Sequence, residues 1–342
     1  LDMVARKIYP DTLTPTPEAP RRKKKLPFKM KPYKHQVGGH VGLFDVDGHI
    51  CKPYNEREAE FYEKMPEELR PLTAESCYKV EIASSENYED SFEIHILEVN
   101  PESSHIHQKT SDQDSDEEEY LYRDICSGLP HEVNPWAFQC QMKSFKTGTA
   151  GSFLMLENLT SKYRNPCIVD LKLGNRQHGD FASEEKKQSQ KKKCAKTTSK
   201  ELGLRICGMQ YYDSLSSTYH CFDKYYGRSL DRKGFQKMIT KFFKNSNGEI
   251  REKICLDLLE KLKKMRKIIA DIDGLRLYGA SLLIAFEGNP SETDAKLDAR
   301  LIDFANASCN GISGSVHVGS DSGTLLGIDN LVQFLSNLLF KN

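Results

Sequence analysis

The chain has 342 residues, 38% of them hydrophobic, and its 49 basic and 49 acidic side chains cancel to zero formal net charge. This length suits one large two-lobed domain or two small ones. No run of 18 uncharged apolar residues occurs, and the first thirty residues contain prolines and a basic run, so neither a membrane span nor a secretory signal is expected.

The ten cysteines are scattered, without a CxxC pair and without histidines at metal-ligand spacing. This pattern favours reduced thiols in the cytoplasm or nucleus over a zinc site or a disulfide framework. The charges are segregated, with basic runs at 21–25 and 186–200 and an acidic run at 112–119. We expect these segments, rather than the overall charge, to select partners, and nucleic acid is not expected among them.

The first predicted elements follow a solvated arm. Prolines and the run RRKKK predict that residues 1–34 form a disordered basic arm, with a nuclear-address or anion-binding role as the alternative. The glycines of HQVGGH then lead into two short apolar runs around Asp47-Gly48, which predict a β-hairpin. A helix is predicted for 55–69, with Asn55 as its N-cap.

The remaining predicted elements follow an acidic stretch, 100–134, which we expect to be a loop or a disordered insertion. Strands and helices are distinguished by hydrophobic periodicities of 2 and 3.6 residues. The predicted strands cover 77–83, 92–99, 151–160, 164–180, 204–212, 279–288 and 299–307. The predicted helices cover 183–200, 230–243, 249–270 and 328–340.

Asp170 and Lys172 are candidates for chemistry because they lie in an otherwise apolar strand. Side chains alternate across a strand, so these two share one face and lie roughly 7 Å apart. They either project together into a cleft or form a surface pair.

Two further charged residues stand in unusual surroundings. Asp303 interrupts the apolar strand 299–307, where a carboxylate is paired, hydrogen-bonded or bound to a metal such as Mg²⁺, or caps a turn. Lys52 lies on the second strand of the hairpin, just before the acidic helix that carries Glu58. A lysine held by a helix carboxylate binds phosphates in protein kinases, although Glu58 is equally placed to be the capping-box partner of Asn55.

The helix predicted for 183–200 is rich in lysine. Lys186, Lys193 and Lys200 recur at a spacing of seven, so cations cover a broad face. On composition alone this is a solvated face, and the alternative is a surface that binds a highly phosphorylated molecule.

The segment PCIVDLKLGNRQHGD (166–180) resembles the PxxxDxKxG signature of the inositol polyphosphate kinase family, and its RQHGD extension resembles the inositol hexakisphosphate kinase branch. Similarity to that branch runs in order from about residue 35 to 340, leaving out the arm and the acidic insertion. The other segments that carry it are HQVGGH, CKP, LGLRICGMQ, KYYGRSL, SLLIAFEG, RLIDFA and LLGIDNLV.

The resemblance implies an α+β fold of two lobes, distantly related to protein kinases, with ATP between an N-lobe of residues 35–157 and a C-lobe of residues 158–342. Asp170 and Lys172 would be the catalytic residues, and Asp303 would hold Mg²⁺. The residues implied to bind ATP are Lys52, Glu58, Glu157, Leu159, Asp170 and Ser281. Those implied to bind the acceptor are Lys172, Arg176, His178, Lys186, Lys187 and Arg205, with a structural turn as the alternative role of His178.

The implied activity is ATP-dependent phosphorylation of inositol hexakisphosphate to a diphosphoinositol pentakisphosphate. An inositol polyphosphate multikinase or inositol trisphosphate 3-kinase is the nearest alternative, and a catalytically weak anion-binding scaffold is an alternative from another class. The chain differs from the branch pattern at Phe181, at 286–288 and at 320–324. Protein partners are expected at the arm and the acidic insertion, and the expected location is the cytoplasm, the nucleus or both.

Overall fold

The computed structural model describes residues 30–84 apart from 40 and 47, then 92–97, 134–147, 151–289, and 297–340 apart from 311 and 313. The predicted arm up to residue 29 and nearly all of the predicted acidic insertion lie outside these ranges. The same is true of His40 in the HQVGGH segment and of Asp47 in the hairpin turn.

The N-terminal half of the fold is an antiparallel sheet of six strands in the spatial order β1-β2-β3-β6-β4-β5. The predicted hairpin is confirmed as β2 and β3, and the two strands predicted after it pair as β4 and β5. The strands are β1 Met30–Pro32, β2 Phe44–Val46, β3 His49–Pro53, β4 Ser76–Ser84, β5 Phe92–Leu97 and β6 Gly151–Glu157.

The C-terminal half is built on a second antiparallel sheet, of five strands in the order β11-β10-β7-β8-β9. Its central strand, β7, carries the PxxxDxKxG segment. The strands are β7 Pro166–Leu173, β8 Leu204–Asp213, β9 Thr218–Phe222, β10 Ser281–Glu287 and β11 Asp298–Ile302.

The described helices are α1 Glu56–Lys64, α2 Pro135–Thr147, α3 Glu184–Ala195, α4 Ser199–Leu202, α5 Lys224–Ser229, α6 Arg232–Phe242, α7 Glu252–Asp271 and α8 Ser322–Phe340. All of them except α2 and α5 correspond to predicted helices, with shifted ends. No helix in the described part of the chain is long and apolar enough to cross a bilayer.

Alternation along β7 decides which residues face the core. Val169, Leu171 and Leu173 are fully buried in the main hydrophobic cluster, whereas Ile168 packs on the other side of the sheet with Val37. The main cluster also includes Phe61 of α1, so the apolar core continues from one sheet to the other. Burying this surface fixes the sheets against each other and leaves the polar face of β7 at their junction.

Several predicted boundaries are wrong for identifiable reasons. The first helix ends at Lys64 rather than 69, because Pro66 forces Met65 into an extended conformation. The Lys-rich helix is not continuous over 183–200, since the chain turns inward to bury Thr198 and begins α4 at the next residue. The final helix starts at Ser322 rather than 328, where Asp321 caps the first turn by accepting from Thr324 N.

Four elements were not predicted from the sequence. β1 lies within the range predicted as a disordered arm, so that prediction is wrong for its last residues. The others are α2, α5 and β9. β1 is only three residues long, too short to show a period, and its pairing with β2 depends on a partner fourteen residues further along the chain.

Candidate active site

The site centres on a lysine between two carboxylates. Lys52, on β3, lies 2.9 Å from Glu58 of α1 and 2.6 Å from Asp303, which follows β11. Glu58 is nearly fully buried, and its carboxylate also accepts a hydrogen bond from Phe304 N. Asn55 caps α1 by accepting from the backbone of Glu58, which leaves the Glu58 carboxylate available to Lys52. The capping-box alternative is thus borne out only for the Asn55 side chain, since Glu58 Oε1 is bound to Lys52 and Phe304 N.

The charges around Lys52 stabilise one another. Burial lowers the pKa of Lys52, but Asp303 and Glu58 more than offset this and raise it above its usual value. Desolvation likewise raises the pKa of Asp303, while Lys52 and Lys172 lower it well below the usual range. Asp303 is therefore an ionised carboxylate, and Lys52 is an ammonium near neutral pH.

The sequence pattern predicted that Asp303 lies within a strand, and this prediction is wrong. β11 ends at Ile302, and Asp303 takes up a left-handed conformation with φ of 66°. Aspartate is one of the few residues other than glycine that tolerate this region. The turn directs its carboxylate to Lys52 at 2.6 Å and Lys172 at 3.6 Å, so one carboxylate contacts lysines from both sheets.

Asp170 and Lys172 share the polar face of β7, and Asp170 is 4% exposed. Desolvation raises the pKa of Asp170, although Lys172 opposes the shift. Asp170 Oδ1 has no partner with hydrogen-bond geometry among the described residues. The surface-pair alternative is therefore wrong, because the two residues lie in the junction between the sheets.

Residues 35–39 of the HQVGGH segment lie over this face. A Cβ atom at Gly38 would be 2.1 Å from Asp170 Oδ2, and one at Gly208 of β8 would be 1.7 Å from Val37 O. Both glycines are therefore required for the loop to approach the sheet. Trp136 of α2 and Gln36 bind the loop through Gly38 O, at 3.3 and 2.9 Å.

Lys172 is the middle member of a row across three strands. Ser281 of β10 and Arg205 of β8 are its direct neighbours in the sheet. Lys172 Nζ donates to Gly279 O at 2.8 Å. Ser281 is fully buried, and its hydroxyl has no partner with hydrogen-bond geometry among the described residues.

Arg205 is 6% exposed and forms no salt bridge within 4.0 Å among the described residues, although its charge opposes the rise in the pKa of Asp170. Arg205 Nη1 donates to Ser199 Oγ at 3.3 Å, the side chain also contacts Cys194, and its Nε has no hydrogen-bond partner among the described residues. A buried guanidinium beside Lys172 with one unpartnered nitrogen therefore favours the binding of an anion. This is the strongest local indication of an acceptor phosphate site in the described structure.

The two predicted hinge residues join the sheets. Glu157 ends β6, its N–H donates to Glu75 O at 2.8 Å, and Leu159 lies in the connection to β7. A cavity of about 210 Å³ borders this connection and is lined by both residues. It does not include Lys52 or Asp303.

The other predicted acceptor residues are dispersed around the loop after β7. His178 is buried, and desolvation and the neighbouring cations lower its pKa despite a hydrogen bond with Gly179 O. Lys187 of α3 is one of those cations, and it also pairs with Glu184 at 2.7 Å. Lys186 is exposed on α3, and Arg176 is bound to neighbouring protein groups. The acceptor roles of these residues stay predictions.

The residues fit a magnesium–nucleotide complex. Mg²⁺ is commonly held by one or two carboxylates together with phosphate oxygens. Asp303 supplies an ionised carboxylate, and Lys52 and Lys172 are placed to bind phosphate next to it. Asp303 is therefore the residue that would hold the metal.

Three contributors to the site were missed in the sequence. Tyr278 and Gly279 lie before β10, and Asp180 follows β7; together they fix the surroundings of Arg176 and Lys172. Asp180 was visible only as part of RQHGD. A backbone carbonyl such as Gly279 O carries no residue signal at all.

Two of the three departures from the branch pattern have a structural role in the fold. Phe286 is fully buried against Phe242 and Phe243, and Glu287 accepts from the backbone of Arg164 at 2.6 Å. Asp321 caps α8 by accepting from Thr324 N. Phe181, by contrast, is 61% exposed and lies under the Arg57 guanidinium of α1, 5.2 Å away.

Comparison with known proteins agrees with this arrangement. Residues 153–336 match the family model described as inositol polyphosphate kinase. The chain is 30% identical to inositol hexakisphosphate kinase 3 of Mus musculus, over 90% of this chain and 95% of that protein. It is also 30% identical to inositol hexakisphosphate kinase 3 of Homo sapiens, over 91% of this chain and 95% of that protein.

The fold has a counterpart among solved structures. An inositol phosphate multikinase from S. cerevisiae, solved in complex with ADP and Mn²⁺, aligns with a TM-score of 0.57 and 21% identity, over 85% of this chain and 99% of that chain. The likeness shows a shared α+β fold of two lobes, as the sequence resemblance implied. The chain belongs to the inositol polyphosphate kinase family.

Proposed function

We propose that this protein is an inositol hexakisphosphate kinase, which transfers the γ-phosphoryl group of ATP to a phosphate of inositol hexakisphosphate and forms a diphosphoinositol pentakisphosphate. The observation that carries the proposal is the cluster of Lys52, Glu58, Asp303 and Lys172 at the junction of the two sheets. The substrate comes from the 30% identity to named inositol hexakisphosphate kinases over nine-tenths of the chain.

The nucleotide side of the reaction is assigned to the N-terminal sheet and β7. Lys52, held by Glu58, binds the ATP phosphates, and Asp170 accepts hydrogen bonds from the ribose hydroxyls. Glu157 and Leu159 meet the adenine through their backbone. Phosphoryl transfer depends mainly on positioning and on neutralising charge, which these groups provide without covalent chemistry.

The acceptor side is assigned to Lys172 and Arg205. An acceptor phosphate is already an anionic nucleophile, so the site needs no strong general base. One of its oxygens bonds to the γ-phosphorus as the bond to the leaving ADP oxygen breaks, and Lys172 neutralises the transferred group. When bound at Asp303, Mg²⁺ supplies additional positive charge to the phosphates. The buried Arg205, whose Nε has no hydrogen-bond partner among the described residues, pairs with an acceptor phosphate.

The test is to incubate the pure protein with ATP, Mg²⁺ and separate inositol phosphates, and to identify products by ³¹P NMR. We expect signals of a phosphate–phosphate linkage with inositol hexakisphosphate, at a kcat/KM above that for inositol trisphosphate. Lys172→Met serves as the inactive control. Phosphorylation of free hydroxyls alone would assign the chain to the multikinase or 3-kinase alternative, and no turnover with any acceptor would favour the scaffold.

We also propose that the protein resides in the cytoplasm, the nucleus or both, and that protein partners bind the arm and the acidic insertion. The support is the scattered cysteines and the segregated charge of these segments. Imaging of a fluorescent fusion in intact cells tests the location, and a secretory distribution would contradict it.

A further inference from the structure

The loop that follows β7 is fastened by one carboxylate. Asp180 accepts from Arg176 Nη2 at 2.7 Å, from Ser315 N at 3.1 Å and from His317 Nε2 at 2.8 Å. Its side chain is 9% exposed. Asp180 therefore joins the loop to a segment that lies more than 130 residues further along the chain.

The guanidinium of Arg176 is held in one orientation. It stacks on the Tyr278 ring with its carbon 4.0 Å from the ring centroid, and Nη1 donates to the Tyr278 hydroxyl at 3.2 Å. Nε donates to His178 O at 3.2 Å. Asp180, Tyr278 and the loop backbone thus engage Arg176 on three sides, a planar arrangement that a lysine could not reproduce.

The contacts continue to Lys172. Gly279 follows Tyr278 directly and has a φ of 74°, which favours glycine. Its carbonyl accepts from Lys172 Nζ at 2.8 Å. A path of packed and hydrogen-bonded groups therefore runs from Asp180 through Arg176 and Tyr278 to the ammonium of Lys172.

We propose that Asp180 is a positioning residue for the reaction: it holds Arg176 against Tyr278 and so fixes the Gly279 carbonyl that orients Lys172. The inference rests on the proposed function of Lys172. A lysine has a long, flexible stem, so a fixed acceptor on one side restricts where its ammonium can go. In phosphoryl transfer a misplacement of about 1 Å costs on the order of 100-fold in rate.

The test compares Asp180→Asn with Asp213→Asn. Asp213 also faces a histidine, His220, at 3.9 Å, but it ends β8 and belongs to no part of the proposed site. We expect Asp180→Asn to lower kcat with inositol hexakisphosphate about tenfold, leaving the KM for ATP within twofold and the thermal midpoint within a few degrees. Asp213→Asn is expected to match the wild type in all three measurements.

Two further variants separate positioning from stability. Arg176→Lys keeps the charge but loses the planar stacking, so kcat should fall in the same way, and this variant decides the question if Asp180→Asn unfolds. As a single variant, Tyr278→Ala should lower kcat. In the Asp180→Asn background it should lower kcat little further, because both residues act on one path. Additive losses, an unchanged kcat, or a loss confined to the thermal midpoint would each overturn the proposal.

Failure of the proposed function can be distinguished from failure of the positioning role. A wild-type protein that fails to phosphorylate inositol hexakisphosphate contradicts the proposed function, whatever Asp180→Asn does. An active wild type with an equally active Asp180→Asn variant contradicts only the positioning role.

Discussion

Asp303 contacts lysines from both sheets, and this placement comes from a single backbone angle. Its left-handed φ of 66° ends β11 and directs the carboxylate to Lys52 and Lys172. In the proposed function, nucleotide phosphates would bind both lysines and leave the carboxylate available to a metal ion. The role of Asp303 can be tested by a substitution that keeps this backbone conformation.

Asp303→Asn should lower Mg²⁺-dependent turnover at least 100-fold, because the metal loses its carboxylate ligand. Asparagine tolerates the left-handed region, so the backbone should keep its conformation, while the loss of the charge beside Lys52 and Lys172 should lower the thermal midpoint. Steady-state kinetics and thermal denaturation measure the two effects.

Asp298→Asn is the matched control for that variant. Asp298 starts β11 and pairs with Lys162 at 2.6 Å and Arg300 at 2.8 Å, away from Lys52. The Asp298→Asn variant should lose stability while keeping most of its turnover. If Asp303→Asn kept wild-type turnover, the metal assignment would be wrong.

Among the elements, residues 36–39, between β1 and β2, pack directly on the face of β7. This segment depends on glycine at two positions, Gly38 above Asp170 and Gly208 beneath Val37. Val37 itself is 4% exposed and packs on Ile168. The segment is thus a packed cover over the face where Asp170 lies, rather than a free loop.

Gly38→Ala should displace this cover, because the new methyl group would lie 2.1 Å from Asp170 Oδ2. We expect a destabilisation of about 1–3 kcal/mol, typical of overpacking, and a severalfold rise in the KM for ATP. Chemical denaturation and nucleotide titration measure these effects.

Gly248→Ala provides a control in a turn after α6. Its φ is 84°, and a methyl group there meets no atom within 4 Å. It should lose about 1 kcal/mol through backbone strain, with the KM for ATP unchanged. Equal nucleotide kinetics for Gly38→Ala and wild type would contradict the placement of ATP next to Asp170.

At the scale of the whole molecule, His35 links the segment after β1 to the C-terminal sheet. Gln210 Nε2, oriented by Pro166 O, lies 3.0 Å from His35 Nδ1, so the ring nitrogen accepts and the imidazole is neutral. The ring also packs on Tyr219 of β9. Burial, reinforced by Lys34, lowers the pKa of His35 to about 4.

This shift makes the stability of the fold depend on pH. Between pH 4 and about 6.5 the unfolded chain binds a proton at His35 that the folded chain does not, so stability rises with pH across this window. The contribution is fully present above pH 6.5 and is lost as the pH falls towards 4. Its size should be on the order of 3 kcal/mol.

Urea denaturation of wild type and His35→Gln at several pH values isolates this contribution. The difference in unfolding free energy between the two proteins should shrink between pH 6.5 and 4.5. A difference that stays constant across the window would show that His35 does not stay neutral in the folded protein.

The sequence by itself determined most of the fold and the identity of the central charges. Alternation along 167–173 separated Asp170 and Lys172 from the core residues, because a strand has a period of two and one face is buried. The long apolar stripe of α7 was equally clear. These features are local, so they can be read without knowing what packs against them.

The tertiary structure decided how those charges meet. Lys52 and Asp303 are 251 residues apart and touch only because the two sheets pack on a common core. The left-handed turn at Asp303, the Gly279 carbonyl and the close approach of Gly38 depend on backbone geometry, which leaves no periodic signal in the sequence. Arg205 shows the same limit, since its burial and its unpartnered Nε are set by neighbouring elements. Residue types and periods were readable because they are local, whereas contacts between distant segments exist only in the folded chain.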